Sequence, residues 1–219
     1  MLPRVIIYNA VSLDGNIDLK SADLETYYGL APVWKEDATL VGSGTILKGA
    51  AEMAPDGPGE PEPWKPEPGD RRALLVVPDS RGRVRTWNAL RMSGYWRDVL
   101  ALCSRSTPVR HLERLKRNRV SCIIAGEKKV DLRAALETLR SDFGVRTVRV
   151  DSGGILNGIL LREGLVYEVA LLIHPELAGG KVRPFFAGAA PPAGIGRLRL
   201  LRLERVRGGL VWLKYRVLH

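Results

Sequence analysis

Only two cysteines, Cys103 and Cys122, and three histidines, His111, His174 and His219, occur in the 219 residues. Neither set has metal-ligand spacing, which argues against a zinc site, and two cysteines make no disulfide framework. Both thiols sit in apolar stretches and are expected to be buried and free. No apolar run approaches the roughly 20 residues of a membrane span. Met1–Arg4 leads straight into a strand-like run without a signal-peptide pattern, so a cytoplasmic protein is expected. Aromatics are sparse at 6%, and none is interleaved with a basic stripe as single-strand nucleic-acid binders require. Acidic residues are outnumbered 24 to 34, for a formal charge of +10. The excess suits small anionic ligands such as nucleotides and sugar phosphates. Its densest cluster, Arg110, Arg114, Lys116, Arg117 and Arg119, reads as the solvated face of one helix, and no nucleic-acid partner is expected.

What is present is an ordinary apolar fraction of 45%, ample for a core. Arg4–Val11 is a near-continuous apolar run of the kind buried on both faces of a sheet. Short apolar strands follow at Ala38–Val41, Ala73–Val77, Val99–Cys103, Val120–Ala125, Val145–Val150 and Val166–Ile173. Between them lie helical patterns. One begins behind Ser21 or Asp23 with Leu24, Tyr27 and Tyr28. One covers Val109–Arg119 with Leu112 and Leu115 inward. One is capped by Asp131 and carries Leu132, Leu136, Leu139 and Phe143 at helical spacing. Leu198–Leu218, broken at Gly208-Gly209, reads as an antiparallel hairpin on the sheet edge. The expected fold is α/β: a mixed, mainly parallel sheet with helices on both faces and a C-terminal antiparallel hairpin, in one domain over 1–219. Residues 53–72 hold six of the fourteen prolines and read as a loop insertion in that domain.

In such sheets ligands bind beyond the carboxyl ends of the strands. The polar and glycine-rich punctuation falls there: Ser12–Gly15, Gly42-Ser43-Gly44-Thr45, Asp79-Ser80-Arg81, Ser104, Gly126 and Asp151–Gly154. Val150-Asp151-Ser152-Gly153-Gly154-Ile155-Leu156 is the most telling, a strand that breaks at two glycines into an apolar helix. Glycines let a backbone approach an anion, and the first N–H groups of a helix point at it.

Four segments carry a family resemblance. Asn9-Ala10-Val11-Ser12-Leu13-Asp14-Gly15-Asn16-Ile17, Leu40–Thr45, Val150–Asn157, and Glu163–Glu168 with Ile173-His174-Pro175 resemble, in order and spacing, the riboflavin-biosynthesis pyrimidine reductases. That family shares its fold with dihydrofolate reductase. The chain departs from it where Asp151-Ser152-Gly153 replaces acid–glycine–glycine, where Gly49 replaces an aspartate, and in the Pro-rich insert.

The resemblance implies NADPH as hydride donor and a phosphorylated small molecule, a phosphoribosylamino-pyrimidine, as acceptor. It places Gly42, Ser43, Gly44, Thr45, Asp79, Ser80, Arg81, Ser104, Gly126, Ser152, Gly153, Gly154, Ile155 and Leu156 against the cofactor. Backbone N–H groups of Gly153, Gly154, Ile155, Gly44 and Thr45 would meet the diphosphate, and Arg81 suits a 2′-phosphate. Asn9, Ser12, Asp14 and Asp151 fall on the substrate side; Asp14 read alone is rather the first residue of an Asp-Gly turn, and the flanking Ser12-Leu13 is what favours the substrate. Three other readings stand beside this one. A dihydrofolate reductase would need an acid facing the pterin, for which Asp23 and Glu25 are available. The others are a reductase of another heterocycle or aldehyde, and a non-catalytic nucleotide or nucleic-acid binder. The exposed edge of the terminal hairpin predicts a homodimer.

Overall fold

The computed structural model describes residues 1–19, 21–57, 59, 67, 69–180, 183–188 and 197–218. They form two compact units, one of Met1–Pro3 with Asp37–Arg146, the other of Arg4–Glu36 with Thr147–His219. Much of the Pro-rich stretch (58, 60–66 and 68) and His219 lie outside the described residues.

The first unit carries four parallel strands: β2 (Ala38–Leu40), β3 (Leu74–Pro78), β4 (Asp98–Cys103) and β5 (Ser121–Ile124), paired in that order. Leu75, Val77, Val99, Ala101 and Cys103 pack with Ile46 of α2 (Ser43–Gly49), Trp87 and Leu90 of α3 (Trp87–Met92) and Leu115 of α4 (Val109–Arg117). The alternate residues Leu74, Val76, Leu100 and Leu102 are buried too. Both strand faces are therefore covered, which is why these strands read as unbroken apolar runs. In α5 (Leu132–Asp142), Asp131 caps as expected, its carboxylate accepting from Ala134 N. Leu132, Leu136 and Leu139 are buried, but Phe143 lies past the helix end and is 38% exposed. Helix α3 is not legible in the sequence. Its six residues give less than two turns of periodicity, and only the buried Trp87, Leu90 and Arg91 reveal its inner face. Cys103 is buried but Cys122 is exposed. The expectation of two buried thiols fails because Cys122 lies on β5, whose pairing is with β4 and which is buried only at Ile123.

The second unit centres on β1 (Arg4–Ser12), which pairs in parallel with β6 (Thr147–Val150) and β7 (Glu168–His174). β9 (Val211–Val217) adds antiparallel to β7, and β8 (Leu198–Arg205) antiparallel to β9, as expected of the terminal hairpin. Helix α1 (Leu24–Leu30) is capped by Asp23, not Ser21. Tyr27, with Ala31 and Trp34 of the 3-10 turn behind it, packs on Ile6, Tyr8, Ala170, Leu172 and Trp212. Helix α6 (Gly154–Arg162) follows β6 directly. The basic cluster on and after α4 is a solvated face: Arg110, Lys116, Arg117 and Arg119 are exposed and Arg114 half-buried. Among the described residues no helix is long and apolar enough to cross a membrane.

Candidate active site

In the second unit, the residues after β1 and β6 meet. Asn9, buried within β1, donates through Nδ2 to Ser152 O at 2.9 Å. Asn157 of α6 donates through Nδ2 to Asn9 Oδ1 at 2.8 Å and to Phe185 O at 2.6 Å. One amide group thus ties β1, the β6–α6 junction and the 183–188 segment together. The sequence motif that ends at Asn157 gives this residue no role of its own. The available signal is a carboxamide on the buried side of an otherwise apolar helix, where a polar group needs partners.

Ser12 and Asp14 do not stand free. Ser12 Oγ donates to the Asp14 carboxylate, which also accepts from Ala178 N at 3.1 Å and Gly179 N at 3.0 Å. Those bonds, the Ser12 hydroxyl first, hold the Asp14 pKa down to about 2. Asn16 Oδ1 likewise accepts from Asp18 N and Arg183 N, at 3.0 and 3.1 Å. The Asp-Gly turn expected at this place is present, with Gly15 at φ 79°. The Asp14 and Asn16 side chains therefore hold the backbone of Ala178, Gly179 and Arg183. Ser12 and Asn9 are nearly closed to solvent, and Asp14 is exposed.

Asp151 differs. Arg149 Nη1 donates to its Oδ2 at 3.2 Å, and Oδ1 lies 3.3 Å from the Tyr27 hydroxyl. Its side chain keeps 26% exposure. The Arg149 Nε also donates to Glu36 Oε1 at 2.8 Å. Burial works against the Arg149 cation, but Asp151, Tyr27 and Glu36 together raise its pKa further.

Glycine geometry separates structural from ligand-facing candidates. A Cβ on Gly154 would meet Pro184 O at 2.3 Å, so that glycine is required by the chain's own backbone. Gly126 has φ 83° and Lys129 O 2.3 Å from its missing Cβ, which a tight turn explains. Among the described residues a Cβ on Gly153 would meet only Ile17 Cδ1 at 3.8 Å, and one on Gly44 nothing within 4 Å; both have negative φ. Gly153 is the N-cap of α6, and no side chain among the described residues caps that helix. Its opening N–H groups, of Gly154, Ile155 and Leu156, are those a helix leaves for an outside acceptor. The Ile155 side chain is exposed; those of Ser152 and Leu156 are buried, so Leu156 offers only backbone.

In the first unit, Gly42 caps α2, again with no side-chain cap among the described residues. Thr45 N donates to Gly42 O at 2.9 Å. The expectation that the Thr45 N–H meets a diphosphate is therefore corrected: that donor closes the first turn, and Thr45 offers its exposed hydroxyl. Arg83 Nη2 donates to Ser43 Oγ at 3.1 Å, bringing the loop after β3 to α2. Arg81 and Arg83 are both exposed. Asp79 is buried, its Oδ2 accepting from Val84 N at 2.8 Å, and Ser80 Oγ accepts from Val130 N at 3.0 Å. Ser104 is fully buried, its N–H donating to Thr107 Oγ1 at 2.9 Å. Asp79 and Ser104 thus shape the loops, while Arg81 and Arg83 present charge. No group of three or more histidine, cysteine or acidic side chains able to hold a metal occurs among the described residues.

The acids that a dihydrofolate reductase would need are already engaged. Asp23 accepts from Thr26 N at 2.9 Å and from Thr26 Oγ1 at 2.7 Å, and Glu25 pairs with Arg207 at 2.7 Å.

A 2,5-diamino-6-ribosylamino-4(3H)-pyrimidinone 5′-phosphate reductase of Archaeoglobus fulgidus is 29% identical over 218 residues, 95% of this chain and 96% of its own. The enzyme of that name from Methanothermobacter thermautotrophicus is 31% identical over 187 residues, 83% of this chain and 82% of its own. A pyrimidine reductase-like protein from Corynebacterium diphtheriae has the same fold, at TM-score 0.76 and 17% identity over 99% of this chain and 92% of its own. So does a riboflavin biosynthesis reductase from Saccharomyces cerevisiae, at TM-score 0.64 and 22% identity over 99% of this chain and 90% of its own. The family model described as the RibD C-terminal domain matches residues 3–212, and the chain belongs to that family.

Proposed function

We propose that the protein is an NADPH-dependent reductase of the riboflavin pathway, converting the ribosyl group of a phosphoribosylamino-pyrimidine to ribityl. The full-length likeness to two enzymes named for 2,5-diamino-6-ribosylamino-4(3H)-pyrimidinone 5′-phosphate supports the substrate class. The observation that carries the cofactor assignment is Gly153. It is an N-cap with open space where a side chain would stand, on a helix left without a side-chain cap among the described residues. Neither backbone strain nor packing among the described residues requires glycine there, and the room this leaves for a diphosphate supports the reading.

A bound reduced nicotinamide supplies the hydride. The chain's own part is binding and orientation. Gly153, Gly154, Ile155 and Leu156 offer backbone donors to an anion. Gly44, Ser43 and the Thr45 hydroxyl do so at α2. Arg81 and Arg83 are the exposed cations for a 2′-phosphate. Asp151 and the exposed Asp14 are acceptors for substrate hydroxyl or amino groups. A homodimer belongs to the same reading. Among the described residues β8 pairs only with β9 and leaves Leu198, Leu200 and Leu203 at 50%, 51% and 65% exposure, a strand edge that proteins usually cover.

The test is loss of NADPH absorbance on adding 2,5-diamino-6-ribosylamino-4(3H)-pyrimidinone 5′-phosphate to the purified protein, with dihydrofolate as the parallel substrate. Turnover of the pyrimidine alone is expected. Absence of turnover together with absence of NADPH binding by calorimetry defeats the assignment. Light scattering at micromolar concentration is expected to give twice the chain mass, and a monomer contradicts the dimer.

A further inference from the structure

Arg149 stands inside β6, in register with Ile6 of β1, and all four β6 residues are buried. An apolar side chain would serve packing at that position, and a buried guanidinium is costly unless fully partnered. Its side chain is 7% exposed and lies between two carboxylates, Glu36 at 13% and Asp151 at 26%. Glu36 alone would neutralise it. The second arm reaches Asp151, the most open member of the cluster. One cation between two carboxylates leaves net negative charge, and the Asp151 end is where it meets solvent.

The other Asp151 oxygen keeps acceptor capacity. The Tyr27 hydroxyl is 3.3 Å from Oδ1 but 2.8 Å from Tyr8 O, and it has a single proton, which the nearer carbonyl takes. Tyr27 is held in place by stacking on Tyr8 with ring centroids 4.3 Å apart. Asp151 is thus gripped at Oδ2 and available at Oδ1.

We propose that Arg149 is a positioning residue, holding Asp151 as a preset acceptor for a hydroxyl or amino group of the substrate. This rests on the substrate-side placement of Asp151 in the proposed function. A carboxylate at the end of a short strand otherwise samples several rotamers, and misplacement by about 1 Å can cost on the order of 100-fold.

The test uses Glu36→Met with Arg149→Met, which removes the more buried pair together and leaves only the part-exposed Asp151 carboxylate. Circular dichroism and thermal melting report its folding. The pyrimidine KM is expected to rise about 10- to 100-fold with a smaller change in kcat, while the NADPH dissociation constant stays within about twofold. Asp151→Asn is expected to give a similar loss, and to add less than about twofold in the double-methionine background, because coupled residues are not additive. Arg149→Lys keeps the charge beside Glu36 but cannot span both acids, so its KM is also expected to rise, by about threefold or more. A folded double-methionine or lysine variant with unchanged KM, alongside an impaired Asp151→Asn, overturns the role of Arg149 alone. An Asp151→Asn enzyme with unaltered kinetics overturns the placement of Asp151 and this inference with it.

Discussion

A Cβ on Gly154 would lie 2.3 Å from the carbonyl oxygen of Pro184, whereas among the described residues one on the adjacent Gly153 would touch nothing nearer than Ile17 Cδ1 at 3.8 Å. Two consecutive glycines therefore answer to different demands. Gly154 admits the chain's own 184–187 backbone, with Ala187 N donating to Gly154 O at 2.7 Å. Gly153 leaves room beside it that none of the described residues fills.

Substitution separates them. Gly153→Asp is expected to fold with a near-native melting temperature yet bind NADPH at least about tenfold more weakly, a change of about 1.4 kcal/mol, since a carboxylate would face an anion. Gly154→Ala is expected to lose about 1–3 kcal/mol in denaturant unfolding through overpacking. Titration of intrinsic tryptophan fluorescence with NADPH reads the first, and unfolding curves the second. Tight binding by a folded Gly153→Asp protein removes the diphosphate from this helix.

Asp14→Asn tests the loop clamp. The carboxylate, ionised down to about pH 2, accepts from two loop amides and the Ser12 hydroxyl. The amide has one acceptor oxygen in place of two, so the 176–180 segment is expected to exchange backbone hydrogens faster at neutral pH. Hydrogen exchange measured by mass spectrometry checks this. In the unaltered protein the clamp persists as pH is lowered and is lost only as Asp14 protonates near pH 2.

Asn157→Ala removes the donor shared by Asn9 Oδ1 and Phe185 O. Leaving buried acceptors unmatched costs about 1–3 kcal/mol each. A destabilisation in that range, measured by urea unfolding, is expected together with a raised KM for the pyrimidine, because Asn9 and the Ser152 backbone lose their common tie.

His111 predicts a pH dependence of stability. It is buried beneath Gly82, 3.8 Å from Asp79, and its ring nitrogens, Asp79 Oδ1 and Trp87 Nε1 have no hydrogen-bond partner among the described residues. Burial pushes its pKa down despite the raising effect of Asp79. The unfolded chain then takes up a proton near pH 6.5 while the folded one stays neutral to lower pH. Stability is therefore complete above about pH 6.5 and falls as pH drops from there through the lowered folded value. Melting temperatures between about pH 5 and 8 are expected to show that slope, and His111→Gln to flatten it.

Much of this was legible from local pattern. The apolar runs of β1, β3 and β4 announced strands buried on two faces, because no polar alternation interrupts them. Asp23 and Asp131 announced helix starts by the same capping chemistry that the structure shows. The glycine break after Val150 pointed to the junction of β6 and α6.

Other features depended on distant partners. Whether Asp14 faces a ligand or holds Ala178 and Gly179, and whether Thr45 spends its N–H on Gly42, are facts of loop closure. The charge of Arg149 within β6 was visible in the sequence, but its meaning was not, since Glu36 is 113 residues away along the chain. Composition and periodicity determined the strands, the caps and the glycine turns, because each is settled by forces acting within a few residues. Only the tertiary structure decided which polar groups are spent on the chain itself and which remain for a ligand, because hydrogen-bond capacity is finite and its partners come from far apart.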